Sequence, residues 1–209
     1  MKQRNSFEAA KIPERSRAGA ASVDRCEKCG GEVRATRLRK YRNDEFLGFP
    51  NLVLVDAVQE EKCPKCGSVE AITIPKVGEL IAAAALLRST MPQKLRGQEI
   101  RALRKALGLN ARQLAKELGV REEAVSRWEN GRDPIGPASE ILLRLAVVDL
   151  LGEKAPGISA NMSDVRRLKI EPTAPSAQPV IITLTYGKVR VTRPRTAVVN
   201  AWEAHDKAA

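Results

Sequence analysis

Aromatic residues are scarce: two Trp, two Tyr and three Phe, or 3% of 209 residues. A single large core would have few bulky side chains to fill it, so two compact units joined by linkers are expected. Histidine is scarcer still. The only one, His205, stands beside Asp206, and no Ser or Asp has a triad-like setting, so acid–base or nucleophilic catalysis has little to work with and no enzyme is expected. Long apolar runs are missing as well. The longest, Leu80 to Leu87, falls far short of the ~20 residues a membrane helix needs. No N-terminal stretch has the apolar centre of a secretion signal. Acidic residues are outnumbered, 25 against 36 Lys and Arg, for a formal net charge of +11. That surplus favours a polyanionic partner and a cytoplasmic, nucleoid-associated location without membrane contact. In that compartment four cysteines are expected as metal ligands rather than disulfides.

The chain divides by composition. Residues 1–25 are polar and Ala/Ser-rich, with six basic and three acidic residues, and are expected as a mobile basic arm. All four cysteines lie in 26–90, a block that ends in an apolar stretch from Val77 to Leu87, read as a connecting helix. A break at Ser89-Thr90-Met91-Pro92 precedes a block with helical periodicity, 91–151. Residues 152–179, rich in Pro, Ser and Ala, read as a linker. In 180–209 a β-branched stretch, Val180 to Thr192, predicts one or two short strands and then a tail. The expected fold is therefore α+β and multidomain. A small β-rich metal-binding module comes first, an all-α five-helix unit follows, and a short β element closes the chain.

Cys26-Glu-Lys-Cys29-Gly30 and Cys63-Pro-Lys-Cys66-Gly67 are two copies of one device. A Cys-x-x-Cys turn brings two sulfurs close together, and the following Gly permits the tight backbone whose amides donate to thiolates. Two such turns place four sulfurs tetrahedrally around one metal, the closed geometry of structural zinc. One Zn²⁺ per chain held by Cys26, Cys29, Cys63 and Cys66 is expected, with no open position for catalysis. A redox pair or two disulfides are the alternatives, but redox motifs usually occur once, before a helix. Here strand-like sequence lies between the pairs, at Val33–Arg37 and Leu52–Val58, with a basic run of Arg34, Arg37, Arg39, Lys40 and Arg42. That run is either a solvated strand edge or a secondary nucleic-acid or partner contact.

In the second block, Ile100, Leu103 and Leu107 form one helical face that ends at Gly108. Asn110 and Gln113 are spaced as a capping box for the next helix, which buries Leu114, Ala115 and Leu118 and stops at Gly119. A third helix is expected over about Arg121 to Asn130, with Val125 and Trp128 inward. The spacing of Ala115, Gly119 and Val125, with the stretch VSRWENG over 125–131, closely resembles the Cro/lambda-repressor-like (XRE) helix-turn-helix. The resemblance runs from about Gln98 to Leu151, including two later helices around Ala138 to Leu151. It implies a third helix lying in the major groove of double-stranded DNA, with Arg121, Glu122, Glu123, Ser126 and Arg127 facing base edges. Arg127 is the best candidate for bidentate contact with guanine. Glu122 and Glu123 either accept from cytosine or complement the helix dipole. Ala111 stands where the family has a phosphate-contacting Gln, so Arg112, Asn130 and Arg132 are the phosphate candidates, while Glu129 is read as structural.

The order of the two blocks resembles the MqsA-type antitoxins, which carry a YgiT-type zinc finger before such a helix-turn-helix. That resemblance covers roughly 26–151 and implies a homodimeric, autoregulatory transcriptional repressor on a palindromic operator. It also implies a zinc module that holds a ribonuclease-type toxin. Glu123 stands where that family has a base-reading Asn, whereas the Ser126-Arg127 pair is kept. The stripe Ile141, Leu142, Leu145, Val148 and Leu151 is expected either at the dimer interface or in the domain core. The competing function is a toxin-neutralising or adaptor protein that acts through protein contacts.

Overall fold

A computed structural model describes residues 25–42, 48–155, 157–172, 180–186 and 199–201. The mobile arm expected over 1–25, apart from Arg25, and most of the tail lie outside these residues. The β-branched and alternating segments pair as expected. β1 (Arg34–Arg42) runs antiparallel to β2 (Leu52–Lys62), from Arg34 opposite Lys62 to Arg42 opposite Val53. Midway, Asp56 and Ala57 of β2 face the single residue Arg39, which makes a β-bulge. Asp56 takes the left-handed conformation there, with φ at 49°. Its carbonyl accepts from Arg37 Nε at 2.6 Å. β3 (Val69–Thr73) pairs with the far half of β2.

Among the described residues, the pairing of β4 (Ile182–Thr185) is long-range. The strand lies parallel to the near half of β2, Leu52 opposite Ile182, and β5 (Val199–Ala201) adds in parallel beyond it. The Ile-Thr-Leu-Thr alternation explains the docking, because Ile182 and Leu184 are buried while the two threonines are half-buried. The helical unit is therefore inserted between strands of one sheet.

Among the described residues, six α-helices lie between β3 and β4. They are α1 (Val77–Thr90), α2 (Gly97–Ala106), α3 (Ala111–Leu118), α4 (Glu122–Glu129), α5 (Pro137–Leu151) and α6 (Met162–Arg166). Where two helices were expected around 138–151 there is one, because that segment contains no Gly or Pro to break it. α1 supplies the fifth helix of the unit. It is apolar on all sides, with Leu80, Ala82 to Ala85 and Leu86 buried, because it lies between β4 and the pair α2–α5.

One apolar core thus runs from Phe49, Leu52 and Leu54 of the sheet through α1 to Leu143 and Val147 of α5. The segment read as a linker from 152 contributes to it. A 3-10 turn (Gly152–Lys154) packs on α1, Val165 of α6 is fully buried, and Glu171 bonds back to Pro92 and Lys94 through its backbone. Among the described residues, no helix is long and apolar enough to cross a membrane.

Gly97 opens α2 directly beneath the end of α4. A Cβ on it would lie 2.5 Å from the Trp128 carbonyl oxygen and 2.6 Å from that of Glu129, both backbone atoms. Gly97→Ala must push the two helices apart. It is expected to lower unfolding free energy by about 1–3 kcal/mol in a denaturant titration. The half-buried Gly152, where a Cβ would meet nothing within 4 Å, serves as control.

Candidate nucleic-acid interface and metal centre

The bihelical unit is fixed by local chemistry that the sequence displays. Asn110 accepts from the Gln113 N–H at 2.8 Å, and the Gln113 side chain accepts from the Asn110 N–H at 2.8 Å. This satisfies two donors at the start of α3. Gly119 caps its end at φ 66°, a conformation that favours glycine and sets the sharp crossing into α4. Ala115 and Val125 are buried at the crossing, and Trp128 packs inward. α4 begins without a side-chain cap on Arg121, and Glu122 and Glu123 occupy its first turn, where carboxylates complement the helix dipole.

The outward face of α4 carries Arg121, Glu122, Glu123, Ser126 and Arg127, all exposed. Glu122, Glu123, Ser126 and Arg127 border one open depression together with Arg132 from the following turn. Arg112, exposed at the start of α3, flanks the same unit. Asn130 is placed differently. Its amide donates to the Ser126 carbonyl at 2.8 Å and its Oδ1 accepts from Arg101 Nη2 at 2.9 Å. Both ends of the carboxamide that were expected on phosphate are engaged within the protein, capping α4 and bridging to α2.

Glu129 is buried and holds this helix to α2. It accepts from Arg104 at 2.5 and 2.9 Å and from Arg101 at 3.2 Å. Burial alone would raise its pKa, but the guanidinium bonds prevail and hold the carboxyl below the usual carboxylate range. Arg101 and Arg104 escaped the sequence reading because each looks like an ordinary solvated residue of an amphipathic helix. Their partner lies 28 and 25 residues away.

The four cysteines form the second candidate site, and their sulfurs all lie within 4.8 Å of one another. The two loops repeat one hydrogen-bond pattern. The N–H of Gly30 donates to the Cys26 carbonyl and that of Gly67 to the Cys63 carbonyl, at 2.9 and 2.8 Å, with φ near 65° and 76° at the glycines. Cys26 and Cys66 approach to 3.5 Å, as do Cys29 and Cys63. Sulfurs at ~2.3 Å from a tetrahedral zinc stand ~3.8 Å apart, so the donor set fits such an ion with little movement. Gly31 closes the cradle, since a Cβ there would crowd the sulfurs of Cys63 and Cys29 at 3.1 and 3.3 Å.

Burial and the Glu70 carboxylate push the Cys26 thiol up to about 12, whereas backbone N–H groups of Cys66 and Lys65 bring Cys63 down to about 7. Glu70 accepts from Cys26 Sγ at 3.2 Å and from the Glu27 N–H at 3.3 Å, and so ties the first loop to β3. Nothing in the local spacing marked it, because only the pairing of β3 brings it near. The basic run Arg34, Arg37, Arg39, Lys40 and Arg42 lies on β1, an exposed strand at the sheet edge.

A sharp α3–α4 crossing, a polar outward face on α4 and a buried clamp behind it define a DNA-reading helix-turn-helix, joined here to a module able to hold a metal ion. Residues 100–148 match the helix-turn-helix family, which supports a DNA-binding regulator of the XRE type. Among curated proteins and among solved structures, nothing matches the chain.

Proposed function

We propose that the protein is a sequence-specific transcriptional repressor that binds a palindromic operator as a homodimer and carries one structural zinc ion per chain. The observation that carries this reading is the outward face of α4. A rigid bihelical unit presents Arg121, Ser126 and Arg127 together with Arg112 and Arg132, and buries none of them. Two-fold pairing would double a contact set that one short helix keeps small. α5 offers a face for such pairing. Leu142 is 48% and Leu150 55% exposed, with Ile141 and Leu145 half-buried beside them. Val148 and Leu151, the rest of the sequence-read stripe, belong to the core.

The finer part of the proposal is that the repressor controls its own promoter and, like the MqsA-type antitoxins it resembles, neutralises a ribonuclease-type toxin through the metal-binding module. The exposed edge of β1, with five basic residues and no acidic one, supports that module as a binding surface.

The test is a footprint of the purified protein on the DNA upstream of its own reading frame, with Arg127→Ala as the control. A symmetric protected site is expected, with affinity falling about 10- to 100-fold in the variant, the size of one bidentate base contact. Log affinity should also fall linearly with log salt. Protection that is asymmetric, or equal in the variant, would count against the dimeric reading and the role of Arg127 respectively.

A further inference from the structure

Arg127, the side chain best suited to read a guanine, is already held in the DNA-free protein. Its guanidinium meets the Asp133 carboxylate from the Nε side, at 2.9 Å. The contact follows from the backbone rather than from two long side chains meeting by chance. After α4 the chain turns at Gly131, φ 68°, and the N–H groups of Arg132 and Asp133 both donate to the Arg127 carbonyl, at 2.9 and 3.4 Å. Asp133 is thus anchored to the residue whose side chain it touches. The guanidinium borders the depression shared with Glu122, Glu123, Ser126 and Arg132, and remains 60% exposed there at the side-chain level.

We propose that Asp133 is a specificity-determining positioning residue, which holds Arg127 with the outer edge of its guanidinium presented to a guanine in the major groove. The proposal rests on the DNA-binding reading above. Arginine is flexible, and a free Arg samples phosphates as readily as base edges. A carboxylate at the Nε side restricts that sampling and leaves the outer nitrogens to match guanine O6 and N7. The same carboxylate is a negative charge close to DNA, so it opposes general attraction to phosphates. Asp133 therefore trades overall affinity for base choice. This predicts two effects of opposite sign, which neither a surface ion pair of purely structural role nor a simple competitor for Arg127 would produce.

The experiment is selection of binding sites from random duplex DNA by wild type, Asp133→Ala, Asp133→Glu and Arg127→Ala, with far-ultraviolet dichroism confirming that each is folded. Wild type should select a guanine at one position of each half-site. In Asp133→Ala that preference should fall about tenfold, while affinity for unselected DNA rises. Asp133→Glu should restore the preference. If Arg127→Ala relaxes the position and Asp133→Ala leaves it intact, the positioning role is wrong and the DNA reading stands. If wild type selects no sequence, both fall together.

Discussion

Arg144→Met is expected to lower unfolding free energy by about 3–5 kcal/mol, the cost of breaking a buried ion pair from one side. For a chain of this size that corresponds to a fall in Tm of about 6–20 °C. Arg144 and Glu140 are both fully buried and lie one turn apart on α5, with Nη2 and Oε1 2.8 Å apart. The guanidinium also donates to the carbonyls of Ser89, Met91 and Gln93, at 3.0, 2.6 and 2.7 Å. Beside it Arg88, equally buried, grips Glu99 through two bonds of 2.6 and 2.9 Å and donates to the carbonyls of Gln93 and Lys94. Glu140 in turn accepts from the Leu95 N–H and from Lys94 Nζ.

The connection from α1 to α2 has no regular structure of its own, yet its backbone carbonyls lie inside the protein and these two arginines satisfy them. Methionine fills the volume and supplies no donor. It would leave the buried Glu140 carboxylate with Lys94 as its remaining cation in this network and strip several carbonyls of their donor at once. Urea titrations of wild type, Arg144→Met and the double variant Arg144→Met/Glu140→Leu would measure the coupling. The double variant should lose no less than the single one, because the carbonyls remain unpaired and the Leu95 N–H and Lys94 also lose their acceptor. A single variant as stable as wild type would mean that the network is incidental to the junction.

This network also marks where the sequence stops being readable. Ser89-Thr90-Met91-Pro92 has the composition of a break, and locally it is one, since α1 ends there. That the break is rigid depends on Arg144, more than fifty residues downstream, and no local pattern announces such a partner. The parallel docking of β4 on β2 is hidden for the same reason, because strands whose paired residues are 130 positions apart leave no trace in either one's spacing.

Features whose cause is local were legible. The Asn110–Gln113 box, the Gly119 turn, the inward Val125 and Trp128 and the doubled cysteine loops each follow from residues a few positions apart. The exposed face of α4 was legible as well, but its use of Asn130 as a cap was not. A carboxamide at a helix end serves phosphate or backbone equally well by composition, and the position of Arg101 decides between them.

The expected β-rich region and helical unit are both present, and α1 packs against both. Few aromatics do argue against one large core of bulky residues. An alanine-rich helix, however, can join a sheet to a bundle with small side chains alone, and α1 does so.

Removing the metal should then have a local and severe effect. Among the described residues around the cysteine loops, β1 and β3, the buried apolar side chains are Cys26, Ala57, Val58 and Cys63, and β1 is exposed along most of its length. Two of these four are ligands of the candidate site and a third is only a methyl group, so the end of the sheet has little core apart from the cluster. Structural zinc supplies on the order of 10 kcal/mol in small domains, far more than burial of Val58 can. The other end of β2 is different, since Phe49, Leu52 and Leu54 pack under α1 together with Ile182 and Leu184.

Stripping the full-length protein with a chelator should therefore expose 25–42 and 59–73 to hydrogen exchange and proteolysis, while the amides of α1 to α5 keep their protection. Cys63→Ser should reproduce the pattern without a chelator. Metal uptake must displace the proton that burial and Glu70 hold on Cys26, so the exposed state should spread as pH falls. Metal analysis should give one zinc per chain before treatment. A chain free of metal as purified, with 25–73 still protected, would end the structural-zinc reading and leave the sulfurs a different task.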